Sequence, residues 1–174
     1  MKKTAVIYWS GTGNTEAMAN AVLEGMTAAG ADAKLLTVDQ VNTADLGNYA
    51  AIAFGCPAMG SEVLEEMEFQ PMFDACKNCL GGKAVALGCP AMGSEVLEDM
   101  EFEPMFEGCK SALKGKRVAL FGSYGWGGGE WMQNWERDCR SSGIQLACDS
   151  VICNDAPDDA ALAACQALGK ALVD

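Results

Sequence analysis

The sequence predicts an α/β protein, a parallel β-sheet covered by helices on both faces. Three observations carry this. Short apolar runs rich in β-branched residues alternate with segments of helical periodicity along the whole chain. The length, 174 residues, suits one domain with one substantial core. A strand, loop and helix are also written twice: "GCPAMGSEVLEEMEFQPMF" begins at Gly55 and "GCPAMGSEVLEDMEFEPMF" at Gly88.

The elements follow in order. "KTAVIYW" is a buried-strand signal, broken by "SGTGNT". "TEAMANAVLEGMTAAG" has helical spacing and a glycine stop at Gly30. "DAKLLTV" is a second strand, "TADLGNY" a short helix at best, and "AAIAFG" a third strand. Each copy of the repeat then supplies a loop, "CPAMGSEVLE", and an apolar helix, "FQPMFDACKNCLGG" or "FEPMFEGCKSALKG". "FGSYGWGGGEW" is a glycine-aromatic loop leaving a strand, and "EWMQNWERDCRSSG" is a helix. "IQLACDSVICN" reads as one last strand, and the last helix is expected with Asp155 near its N-cap and Pro157 in its first turn. No linker or composition shift marks a second domain, so residues 1–174 are read as one.

Composition excludes several classes. Half of the residues are hydrophobic, which excludes disorder. No apolar run approaches the roughly 20 residues of a membrane span. The start, "MKKTAVIYWSGTG", turns glycine-rich too soon for a signal peptide and is read as the first strand of a cytoplasmic protein. A net charge of −12 argues against nucleic acid and suits partners with basic faces, although solubility alone would explain it equally. The cysteines number nine, an odd count that favours reduced thiols. Cys76 and Cys79 form a CxxC, but the chain has no histidine, and the second copy has Ala112 where Cys79 would fall. Helix packing is therefore preferred to zinc or redox chemistry.

Three segments carry chemistry. In Ser10, Gly11, Thr12, Gly13, Asn14 and Thr15, two glycines let successive amides face inward at a helix N-terminus, and four side chains add donors. The segment lacks the Walker lysine and the GxGxxG spacing. It points to a phosphate monoester held by neutral donors; the plainer reading is a glycine turn with a capping hydroxyl. In "SYGWGGGEW", Tyr124 and Trp126 offer flat surfaces, while Ser123 and Gly125 offer backbone polar groups. Trp131 and Trp135, four apart on a helix, are read as core. In "AMGSE", found twice, a methionine can lie on an aromatic ring, a Gly-Ser peptide can reorient, and a glutamate can accept from a ring N–H. Alone, that motif is no more than an acidic loop.

Taken together, "VIYWSGTGNTEAMAN", "GCPAMGSEVLE", "EFEPMF" and "KRVALFGSYGWGGGEWM" resemble the short-chain flavodoxins of clostridia and related anaerobes, in family order and across the chain except for one extra 33-residue unit. The resemblance implies a flavodoxin-like three-layer α-β-α sandwich that binds FMN noncovalently at the strand C-termini. It assigns Ser10, Thr12, Asn14 and Thr15 to the phosphate loop and Trp126 to the outer flavin face. It assigns Met59 or Met92 to the inner face and Gly60 or Gly93, followed by Ser94 in the second copy, to the peptide that turns toward flavin N5 on reduction. It assigns Glu62 or Glu95 to flavin N3–H, and backbone around Ser123–Gly125 to the pyrimidine end. It implies a low-potential one-electron carrier with no catalytic residue or metal of its own, working with redox partner proteins. The alternative is a related binding or assembly module whose repeat has disabled the pocket. An FMN-dependent reductase is a weaker option, because no general acid or base stands out.

The repeat relates residues 55–87 to 88–120 with 25 identities in 33 positions. Two strand orders are compatible with it. Insertion in place gives six strands in the order 2-1-3-4-5-6. Displacement of the first copy to the far edge gives 3-2-1-4-5-6. The first is expected. It would add a strand to one face without adding a helix there, leaving apolar area open and favouring a homodimer. The copies also concentrate acid: Glu62, Glu65, Glu66, Glu68 and Asp74 in one, Glu95, Glu98, Asp99, Glu101, Glu103 and Glu107 in the other.

Overall fold

The computed structural model describes residues 1–10, 13–55, 69–76, 79–88, 102–124 and 127–174. Strand β1 (Lys3–Tyr8) leads into helix α1 (Asn14–Ala28), and β2 (Asp32–Thr37) follows. Two short 3₁₀ turns, Val38–Gln40 and Thr43–Asn48, lead to β3 (Ala51–Gly55). Then come α2 (Phe69–Cys76), β4 (Ala84–Gly88), α3 (Phe102–Leu113), β5 (Arg117–Tyr124) and α4 (Glu130–Ser141). The chain ends with β6 (Gln145–Leu146), β7 (Val151–Asn154) and α5 (Asp159–Val173).

All strand pairs are parallel, and the sheet runs β2-β1-β3-β4-β5-β6, with β7 also on β5. Thr4 pairs with Ala51 and Tyr8 with Gly55, so the first copy's strand lies beside β1. This is the in-place order. Across β3, β4 and β5 each residue pairs with the one 33 positions on: Ile52 with Val85 with Val118, Ala53 with Ala86 with Ala119. The pairing register equals the repeat period, so equivalent side chains form rows across the sheet and face the same way.

The rows explain the two cores. One face carries Ile52, Phe54, Val85, Leu87, Val118 and Leu120 and packs under α2, α3 and α4. Trp131 and Trp135 are buried there as expected, stacked 6.3 Å apart, and Phe106 meets Trp135 edge-on. Cys76 is buried in the same core with its thiol donating to the Met72 sulfur at 3.3 Å, in keeping with a packing role. The other face carries Ala53, Ala86 and Ala119 under α1 and α5.

Among the described residues, the second face shows no open apolar row. Ala53, Ala86 and Ala119 are all fully buried. Small side chains let α1 and α5 settle low on the sheet and against each other. A Cβ at Gly25 would lie 1.8 Å from the Gln166 carbonyl oxygen, and one at Gly169 would lie 2.2 Å from that of Val22. Two helices with glycine contacts thus cover a widened sheet, and the surface argument for a homodimer loses its basis.

Two boundaries also differ from expectation. The last strand is interrupted. β6 pairs Arg117 with Gln145, whereas β7 pairs Phe121 with Val151, so two extra residues bulge out between them. The cap of α5 is Asp158, whose carboxylate accepts from the Ala161 amide at 2.8 Å, so Pro157 precedes the helix. Asp155 instead turns the chain with φ 53° and donates its amide to the Tyr124 carbonyl at 2.9 Å. Among the described residues no helix is long and apolar enough to cross a membrane.

Candidate functional site at the C-terminal ends of β1, β3 and β5

The chain progresses to one side of β1 through α1 and to the other through α2, α3 and α4. Right-handed crossovers then force these helices onto opposite faces. The direction reverses between β1 and β3, the switch point beside which open α/β sheets bind ligands. The strand ends are held together by the Trp9 amide, which donates to the Gly55 carbonyl at 3.0 Å.

At this point α1 begins. Gly13 takes a left-handed conformation, φ 92°, and occupies the N-cap position without any side-chain cap bond. The first intrahelical bond runs from the Ala17 amide to the Gly13 carbonyl at 2.9 Å, so among the described residues the amides of Asn14, Thr15 and Glu16 have no helical partner. Ser10 does not cap the helix. Its hydroxyl accepts from the Gly13 amide at 3.0 Å, closing the turn and leaving its own hydrogen free to donate. Among the described residues, a Cβ on Gly13 would meet nothing within 4 Å. The donor set is neutral and fits a phosphate group. Gly11 and Thr12 lie outside the described residues.

Thr15 links the cradle to β3. Its methyl lies 3.1 Å from where a Gly55 Cβ would be. Gly88, the equivalent residue of the second copy, is filled differently: the Phe121 ring comes within 2.5 Å of its Cβ position. Phe121 stands where both copies have glycine, and its ring covers the end of β4. Sequence reasoning missed this, although aligning "AIAFG", "AVALG" and "VALF" exposes the switch from glycine to phenylalanine.

A second missed feature adjoins the cradle. The Tyr8 hydroxyl donates to the Glu16 carboxylate at 3.1 Å. Burial, and then this bond, push the Tyr8 phenol above its ordinary value. These residues, with Ser10, Thr37 and Asp39, line a cavity of about 230 Å³ between the ends of β1 and β2.

Ser123 and Tyr124 are half-buried at the end of β5. The Tyr124 carbonyl already accepts from the Asn154 side chain at 3.0 Å and from the Asp155 amide, so both lone pairs are engaged and it is not available to a ligand. Met59, Gly60, Glu62, Met92, Gly93, Ser94, Glu95, Gly125 and Trp126 lie outside the described residues. Of the expected site, the structure therefore brings together Ser10, Gly13, Asn14 and Thr15 at the β1–β3 junction and holds Ser123 and Tyr124 two strands away.

A 2-1-3-4-5 core with a glycine-bent strand-to-helix turn at its switch point defines a flavodoxin-like α/β protein. The family model described as Flavodoxin matches residues 6–168, and the chain belongs to that family. It is 38% identical over 166 residues to a flavodoxin of Megasphaera elsdenii, covering 95% of each chain. It is 34% identical over 155 residues to a flavodoxin of Clostridium beijerinckii, covering 89% of this chain and 88% of that one. The solution structure of two-electron reduced Megasphaera elsdenii flavodoxin superimposes with a TM-score of 0.62 at 37% identity, over 98% of both chains.

Proposed function

We propose that this chain binds FMN noncovalently and shuttles single electrons at low potential between protein partners in the cytoplasm, with no substrate of its own. The observation that carries this is the uncapped start of α1, where left-handed Gly13 and the Ser10 hydroxyl leave an open, neutral cradle. When bound, the flavin supplies the redox chemistry. The Asn14, Thr15 and Glu16 amides and the Ser10 and Thr15 hydroxyls would hold its phosphate, joined by Gly11 and Thr12. A chain of net charge −12 opposes added negative charge at the site, which lowers the potential for taking up electrons. The same charge favours partners with basic docking faces.

Residues 1–174 then form one domain in which residues 55–87 and 88–120 are tandem copies of one unit. The strand order supports a division of labour between them. The loop after β3, with Met59, Gly60 and Glu62, leaves the strand beside the cradle. The loop after β4, with Met92, Gly93, Ser94 and Glu95, leaves the next strand. The loop after β5, with Ser123, Tyr124, Gly125 and Trp126, starts one strand spacing farther out than a five-stranded order would place it, about 4.8 Å. The two copies would therefore supply the walls nearest the phosphate.

The test is titration with FMN and with riboflavin, read by quenching of flavin fluorescence. FMN is expected to bind and riboflavin, lacking the phosphate, to bind at least tenfold more weakly. No quenching by FMN, or equal affinity for both, would overturn the reading.

A further inference from the structure

We propose that the outer edge of β7 is a docking groove for an extended, lysine- or arginine-bearing segment of a partner protein. This surface rests on residues separate from the phosphate cradle. Among the described residues β7 pairs with β5 alone, so alternate residues of Val151–Asn154 turn their N–H and C=O groups away from the sheet. Beside this edge runs a groove of about 620 Å³, floored by small side chains of α5, Ala160, Ala161 and Ala164. Ile152 lines it and is 37% exposed; with Met1 it is one of the two large hydrophobic residues exposed among those described.

Charge selects the occupant. Between Arg140 and Lys170 the chain has no basic residue, and it carries Asp149, Asp155, Asp158 and Asp159, all exposed; Asp158 lines the groove and the other three adjoin lining residues in the chain. The opposite edge differs. β2 carries both Lys34 and Asp32, the kind of edge charge that discourages strand addition. β7 carries no charge within the strand. The bulge between β6 and β7 limits the free edge to four residues, a window for one short segment. An added strand would gain main-chain bonds from β7, set alternate side chains beside the α5 alanines on one face and beside Ile152 on the other, and place flanking cations against the aspartates. A second copy of this chain would bring the same acidic rim and be repelled.

The test uses the full chain, ¹⁵N-labelled, and two acetylated and amidated pentapeptides, one alternating lysine with valine and one alternating glutamate with valine. The lysine peptide is expected to shift amides of Ser150–Asn154 and Ala160–Ala164 saturably, with affinity falling as salt rises. The glutamate peptide should shift nothing. Ile152→Lys should weaken binding at least tenfold while Ile152→Leu keeps it. Asp155→Asn with Asp159→Asn should weaken it severalfold, whether or not Ile152→Lys folds. Shifts centred on α2 or α3, affinity unchanged in Ile152→Lys or in the double aspartate variant, or the same amides moving with protein concentration alone would overturn the proposal.

Discussion

Gly55 and Gly88 occupy the same position in the two copies and pair with each other, yet they should answer the same substitution differently. In Gly88→Ala the new methyl would sit 2.5 Å from Cε2 and 2.6 Å from Cζ of Phe121. That ring is only 2% exposed, so it cannot swing away without unpacking its neighbours. Overpacking of this kind costs about 1–3 kcal/mol. Replacing glycine within a strand returns about 0.5–1 kcal/mol by reducing the freedom of the unfolded chain. The net expectation is a loss of about 1–2 kcal/mol, seen as a lower urea midpoint with an unchanged slope. In Gly55→Ala the nearest atom is the Thr15 methyl at 3.1 Å, which a shift of a few tenths of an ångström relieves. Stability should then change by less than about 0.5 kcal/mol, because the same entropic gain applies. Moving Thr15 disturbs the cradle, so FMN affinity should fall by about fivefold, roughly 1 kcal/mol. Paired urea melts and FMN titrations of the two variants read both effects. Equal stability losses, or an affinity loss confined to Gly88→Ala, would refute the assignment of Phe121 to packing and Thr15 to the cradle.

Other outcomes follow from the same geometry. Gly169→Ala puts a methyl 2.2 Å from backbone, the Val22 carbonyl oxygen, so α1 and α5 must separate and the urea midpoint should drop by the equivalent of about 3 kcal/mol. Asp158→Ala removes the α5 cap and should cost about 1 kcal/mol in the same assay. Burial pushes the Cys76, Cys139 and Cys165 thiols up from 9.0 to about 12. The unfolded chain then loses these protons first, so stability is unaffected by them below pH 9 and falls as pH rises from 9 toward 12. Alkaline urea titrations should show this, and at pH 8 these three thiols should resist alkylation until the protein is unfolded. In an FMN titration Trp126→Ala should change affinity less than twofold, since its loop leaves the strand one spacing beyond the second copy.

Much of this fold was legible because the signals were local and repeated. The apolar run before Trp9, the glycines around Ser10 and the row of "AIAFG", "AVALG" and "VALF" each encode a strand end by side-chain size and alternation. Right-handed crossovers and the pairing of successive strands favour the in-place order, and the pairing of Thr4 with Ala51 agrees with it. The misses depended on distant partners. The break between Leu146 and Val151 arises because β5 offers two fewer residues than its neighbour uses, which no local pattern reports. Asp155 and Asp158 are equally good capping residues by type, and the Tyr124 carbonyl, which binds the Asp155 amide, decides between them. Closure over the extra strand required knowing that Gly25 and Gly169 meet backbone on the opposite helix. The Tyr8–Glu16 contact spans a whole loop and left no periodic trace.

The identity between pairing register and repeat period has a consequence for how such a chain can grow. A unit whose ends match its neighbours' rungs can be spliced between existing strands with no adjustment of the strands on either side, so the sheet accepts extra modules the way a ladder accepts another step. The limit comes from the roof. Two helices in backbone contact already span this width, and a third unit would leave one alanine row facing water with nothing above it.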